Sequence, residues 1–144
     1  LGLEADDAEV TQAVRAAALE TDLEQLENGL KTVVGPRGVR LSGGQRQRAA
    51  AARMFIRQAE LLVCDDLSSA LDVETEQQLW ERLFARRDAT YLVVSHRRPL
   101  LQRADQIVVL KSGRVEDAGR LEPLLERCPE MRSLWEGRVS DGAA

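Results

Sequence analysis

The run Leu61-Leu62-Val63-Cys64, closed by Asp65-Asp66, constrains the fold more than any other stretch of the sequence. Four consecutive apolar residues without polar alternation describe a buried strand, and strands of that kind belong to parallel sheets flanked by helices. Acids at the C-terminal end of such a strand lie at the edge where parallel sheets carry ligands. The following segments agree. Glu74 to Arg87 is amphipathic at helical spacing, with Leu79, Leu83 and Phe84 on one face and Trp80 alongside. Thr90 to Val94 is a second strand, ending in Ser95-His96. Pro99 to Arg103 predicts a turn of helix and Gln106 to Leu110 a third strand. Lys111-Ser112-Gly113 makes a tight turn into Arg114 to Asp117, and Leu121 to Trp135 is a helical region interrupted at Pro129. Strands alternating with helices give an α/β chain with a largely parallel sheet.

Ahead of this region, Val10, Ala13, Val14, Ala17 and Ala18 recur at helical spacing after an Asp-rich start, and a shorter helix is expected over Leu23 to Leu26. Asn28-Gly29 ends that helical part. Gly35-Pro36-Arg37-Gly38 forbids regular structure, so Lys31 to Arg40 is expected to be an irregular loop. Leu41-Ser42-Gly43-Gly44-Gln45 then opens an alanine-rich helix running to Arg57, on which arginines 46, 48, 53 and 57 are expected to be solvated. Ser140 to Ala144 is expected to be a frayed tail.

Apolar residues make up 44% and charged residues 31% of the 144, a balance that supports a packed core. A net charge of −4 gives no footprint for duplex nucleic acid. No apolar run approaches the roughly 20 residues that span a bilayer. Cys64 and Cys128 lack CxxC spacing, which suggests reduced thiols, and Cys64 is expected to be a small core residue. The first residue is Leu1, so a processed chain or a piece of a longer one is expected.

Three groups carry candidate chemistry. Ser42-Gly43-Gly44-Gln45 at a helix start can bind an anion, because free amides and the positive end of the helix dipole converge there; Ser42 could equally serve only as a cap. Asp65-Asp66 suits magnesium-dependent phosphate chemistry, one acid holding the metal and the other acting on water; the alternative is a polar strand end. His96 lies just past a strand, in a ligand position or a structural one.

In order along the chain, Leu41-Ser42-Gly43-Gly44-Gln45, Leu61-Leu62-Val63-Cys64-Asp65-Asp66, Ser69-Ala70-Leu71-Asp72 and Ser95-His96-Arg97 resemble the signature motif, Walker B strand, D-loop and switch histidine of ATP-binding cassette (ABC) ATPases. The resemblance continues through Ala104 to Arg114 and covers roughly Ala8 to Trp135. It implies an incomplete P-loop NTPase core with part of the α-helical signature subdomain: residues 1–58 helical, 59–138 the second half of the ATPase core, and 139–144 a tail.

The same resemblance implies that Ser42, Gly43 and Gly44 meet the γ-phosphate of ATP held by a second cassette in a head-to-tail dimer, with Gln45 supporting the contact. It gives Asp65 a magnesium ion held through water, Asp66 the role of catalytic base, Asp72 a place on the dimer seam, and His96 a contact to the γ-phosphate and attacking water. The partners implied are that second cassette and a transporter membrane domain at the cytoplasmic face, and ATP-driven transport is the implied activity. The loop at Gly35 to Arg40 is similar to the one export-type cassettes set against their membrane domains, with Pro36 where an acid is common. Asp66 departs from the family's glutamate. GxxxxGK[ST] is absent, since neither Lys31-Thr32 nor Lys111-Ser112 follows a glycine. In the family the strand leading to that loop lies between those ending at Val94 and Leu110, so the chain alone is expected to have exposed strand edges, to self-associate or rearrange locally, and to be inactive. Two other readings compete: a stand-alone module lending its signature face to a partner's ATP, and a soluble cassette ATPase of DNA repair or translation.

Overall fold

Asp6 opens the first helix, α1 (Asp7–Ala16), by a reciprocal capping box: its carboxylate accepts from the Glu9 amide at 2.8 Å, and the Glu9 carboxylate accepts from the Asp6 amide at 3.1 Å. The computed structural model describes residues 5–57, 59–86 and 89–138. The expected frayed tail at Ser140 to Ala144 lies outside these. Helix α1 stops where Ala18 adopts φ +52° and the Ala18 and Leu19 amides fold back onto the carbonyls of Arg15 and Val14. This double closure is usually built on glycine, and with alanine there the sequence carries no stop signal. The expected Leu23–Leu26 helix is therefore shifted: α2 covers Glu20–Glu24, and a 3-10 turn covers Gly29–Lys31. The loop to Arg40 is irregular as expected, closed on itself by the Val39 amide donating to the Val33 carbonyl at 2.9 Å.

The chain forms two compact units, residues 1–93 and 94–144. In the first, α3 (Gly43–Phe55) packs on α1, and the buried residues include small ones on both helices, Ala13 on α1 and Ala51 and Ala52 on α3. Strand β1 (Leu61–Asp65), helix α4 (Val73–Phe84) and strand β2 (Thr90–Val94) follow as a β-α-β unit, and β1 and β2 form a two-stranded parallel sheet. Helix α4 buries Leu79, Trp80 and Leu83. Its C-terminal end is held by an aromatic series, Trp80 stacked on Phe84 with centroids 5.5 Å apart and Tyr91 edge-on to Phe84 at 5.4 Å. The Tyr91 hydroxyl reaches the carbonyl of Leu83 at 2.7 Å, satisfying a helix-end acceptor.

The second unit holds α5 (Arg98–Arg103), the antiparallel hairpin of β3 (Ile107–Lys111) and β4 (Arg114–Gly119), α6 (Leu121–Arg127) and α7 (Pro129–Trp135). Ser112 and Gly113, at φ +50° and +74°, make the two-residue turn whose twist matches a hairpin. The register skips Glu116, opposite the Val109/Leu110 step. Leu101, Ile107, Val109, Leu121, Leu124, Cys128 and Met131 form its buried core. The helical break falls at Pro129, where the Cys128 sulfur caps α7. Among the described residues no helix is long and apolar enough to cross a membrane.

One expectation needs correction. Strand β1 is buried on one face only: Leu62 and Cys64 are 2% exposed, whereas Leu61 and Val63 are 54% and 57% exposed. Leu92 of β2 is open to a similar degree. The continuous apolar run is built for cover on both faces, and among the described residues only one face receives it. Each sheet has two strands, so each strand also keeps an edge free of a neighbouring strand among the described residues. The isolated 144-residue chain should therefore associate reversibly as its concentration rises in sedimentation velocity, and Val63→Lys should weaken that association. A single monomeric boundary at all concentrations would contradict this.

Candidate functional site

Helix α3 begins with a capping box. The Ser42 hydroxyl accepts from the Gln45 amide at 3.1 Å, and the Gln45 side-chain oxygen accepts from the Ser42 amide at 2.8 Å. Capping takes up the amides of Ser42 and Gln45, and those of Gly43 and Gly44 have no part in it. A thirteen-residue helix therefore presents its positive end at an exposed serine and two glycines. The glycines also allow a close approach. A Cβ on Gly44 would lie 3.0 Å from the Ala70 carbonyl oxygen and 3.1 Å from a Leu71 methyl, and one on Gly43 would lie 3.3 Å from the Ala70 Cβ. The start of α3 thus rests against the turn that follows β1.

That turn carries the acids. Asp65 ends β1, and both Asp65 and Asp66 are exposed. Asp66 adopts φ +53°, a left-handed conformation that aspartate tolerates better than most residues. Ser68 is buried behind the turn, where its hydroxyl donates to Glu76 at 2.6 Å and accepts from the Trp80 indole at 3.2 Å. Asp72 closes the turn as the N-cap of α4, accepting from the Thr75 amide at 2.9 Å and the Thr75 hydroxyl at 2.8 Å. These bonds from Thr75 hold the Asp72 carboxyl below the ordinary carboxylate range. Burial pushes the Cys64 thiol up to about 11, which fits an inert core residue.

Sequence reasoning missed two residues that support the helix start. Asp22, on α2, accepts from Gln45 Nε2 at 2.9 Å and from Arg48 Nη2 at 2.5 Å. Arg48 is therefore not solvated, contrary to expectation. It is buried, and its Nε has no hydrogen-bond partner among the described residues. Helical position alone marked Arg48 as one of four arginines on one helix, and nothing local indicates that α2 folds over it. The second missed residue is Gln47, which bonds to the Asp66 to Ala70 turn.

The structure brings Gly43 and Gly44 against the loop that joins Asp66 to Asp72. His96 lies two residues past β2, at the start of the second unit, exposed, with the neighbouring Ser95 hydroxyl accepting from the Arg97 amide at 3.1 Å.

Comparison with known proteins follows from this geometry. The sequence model of the ABC transporter family matches residues 4–69. An ATP-dependent lipid A-core flippase of Haemophilus ducreyi is 39% identical over 135 residues, covering 93% of this chain and 23% of the flippase. The ABC transporter ATP-binding protein YwjA of Bacillus subtilis is 41% identical over 124 residues, 85% of this chain and 22% of that protein. The solved structure of a bacterial Atm1-family ABC exporter with ATP bound superposes with a TM-score of 0.85 at 33% identity, over 97% of this chain and 25% of the exporter chain. An α/β ATPase fold of export type is the class these findings define. The chain belongs to the ABC transporter family. It spans less than a quarter of the length of these curated relatives.

Two outcomes follow for the support of the site. Asp22→Ala leaves Arg48 buried without its carboxylate and should lower stability by about 3 kcal/mol in denaturant unfolding, part of which Arg48→Met in the same chain should restore. Asp72→Ala should lower the melting temperature near neutral pH. Because the Asp72 pKa is lowered on folding, the stability it contributes is present above its unfolded value of 3.8 and is lost as pH falls through its folded value. The gap between Asp72→Ala and wild type should accordingly narrow on acidification below that range.

Proposed function

We propose that this segment supplies the signature face and the acids of a transporter ATPase that hydrolyses ATP to drive export, working head to tail with a second cassette and coupled to a membrane domain. The observation that carries this reading is the Gly43-Gly44 start of α3, whose two amides take no part in the Ser42–Gln45 cap, packed against the loop running from the exposed Asp65-Asp66 pair to Asp72. It joins an anion site to two carboxylates at the end of a parallel strand, where such sheets bind ligands. Within this proposal the amides of Gly43 and Gly44 and the Ser42 hydroxyl donate to the γ-phosphate of the ATP that the partner cassette grips. Asp66 accepts a proton from the attacking water. His96 steadies that water and the γ-phosphate, and Asp72 faces the dimer seam.

Among the described residues no three acids, cysteines or histidines cluster as a metal cage. A magnesium ion that keeps most of its waters and takes the rest of its ligands from phosphate needs only one or two carboxylates, and the exposed Asp65-Asp66 pair fits that requirement. Asp65 would hold the ion, which would neutralise charge on the phosphates.

The proposed partition of labour is residues 1–58 for the helical signature part and 59–138 for the core. Without GxxxxGK[ST], the chain has no loop of its own to wrap the phosphates. The isolated chain is proposed to be inactive, and micromolar ATP affinity without a partner would contradict this. Asp66 reaches one methylene less far than glutamate, and misplacement of about 1 Å can cost about 100-fold, so turnover is proposed to be slow. In the complete cassette that contains this segment, Asp66→Asn should abolish phosphate release while nucleotide binding persists. Wild-type hydrolysis in that variant would refute the role of Asp66.

A further inference from the structure

Gln47 lies in the second turn of α3 and spends its whole side-chain amide on the turn that carries Asp66. Its Nε2 donates to the Ser69 hydroxyl at 2.7 Å and to the Asp66 carbonyl at 3.1 Å, and its Oε1 accepts from the Ala70 amide at 3.0 Å. The Ser69 hydroxyl also reaches the Asp66 carbonyl, at 3.3 Å. Asp66 is one of three non-glycine described residues with positive φ. A left-handed residue costs energy relative to the right-handed basin and persists only where its surroundings hold it. Two donors on the Asp66 carbonyl fix the peptide plane that follows it. That plane and φ together set the direction in which the Asp66 carboxylate leaves the backbone.

The helix that carries Gln47 is the one whose first turn forms the proposed anion site, and that first turn meets Ala70 and Leu71 so closely that a Cβ on Gly44 would lie 3.0 Å from the Ala70 carbonyl oxygen. The anion site and the acid-bearing turn are therefore held in register from two places, by backbone contact at Gly44 and by Gln47 a turn later.

We propose that Gln47 is a positioning residue for the hydrolytic step: it holds Asp66 in its left-handed conformation and so aims the carboxylate at the attacking water. This rests on the proposed role of Asp66 as the base. Gln47 touches neither nucleotide nor water in this assignment. It acts through Asp66, so its loss should reduce turnover and leave nucleotide affinity alone.

The test is steady-state and single-turnover ATP hydrolysis by the complete cassette containing this segment. Gln47→Leu removes all three bonds, Gln47→Glu keeps only the acceptor for Ala70, and Ser69→Ala removes one partner of the three. A carboxylate displaced by about 1 Å predicts a fall in kcat of about 100-fold for Gln47→Leu, with KM for ATP changed less than about twofold. Gln47→Glu should fall nearly as far, because the donors to Asp66 and Ser69 are gone, and it serves in place of Gln47→Leu should the latter not fold. Ser69→Ala should lose far less. In an Asp66→Asn background, Gln47→Leu should lower the residual single-turnover rate no further, since a residue acting through Asp66 has nothing left to aim. Wild-type kcat in both Gln47 variants, a raised KM at unchanged kcat, or additive loss in the double variant would each overturn the proposal. Full hydrolysis by Asp66→Asn would instead remove the premise that Asp66 is the base, so the two failures are distinguishable.

Discussion

The seat of Gly43-Gly44 on Ala70-Leu71 is the contact on which the rest of the candidate site depends. Two glycines lacking side chains let the first turn of α3 approach the turn after β1 to a distance at which a Cβ would be tightly crowded. The helix start therefore lies in close contact with the turn that carries the acids. Glycine at a helix start costs conformational entropy that alanine would not. That cost is offset by the capping box at Ser42 and Gln45, which fastens the same turn from the other side.

The supporting layer is polar, which makes it sensitive to loss of any one partner. Asp22 serves two donors on α3, one of them the Gln45 side chain already engaged in capping and the other a buried guanidinium. Breaking such a pair leaves a charge in a place with little water, which is more harmful than never having had the pair. Arg82 makes a more exposed tie, joining α4 to Glu20 at 2.6 Å and to the Arg15 carbonyl. In the first unit, α1, α2, α3 and α4 are thus linked by charge as well as by apolar packing.

Much of the fold was legible because its signals are local. Thr90 to Val94 forms a strand with the expected limits, Pro129 divides the last helical region, and Ser112-Gly113 turns the hairpin. The capped helix start at Ser42 was legible for the same reason, since cap and glycines are neighbours in sequence. What escaped depends on distance. Ala18 ends α1 in a conformation normally reserved for glycine, so no residue announced the stop. The partnership of Asp22 with Arg48 spans separate helices, and that of Gln47 with the Asp66 turn joins α3 to a loop beyond β1, which no periodicity reports. The exposed face of β1 escaped for another reason: an apolar run shows what a strand is built to be buried by, and the described residues cover only one side of it.

The Ser42 hydroxyl has one proton and two lone pairs, and capping commits a lone pair to the Gln45 amide. Its proton stays free to turn outward beside the amides of Gly43 and Gly44. The mouth of α3 then offers more hydrogen-bond donors than acceptors. A helix end of that kind favours an anion over a cation, so the residue that stabilises the helix by capping it also leaves the entrance biased by charge.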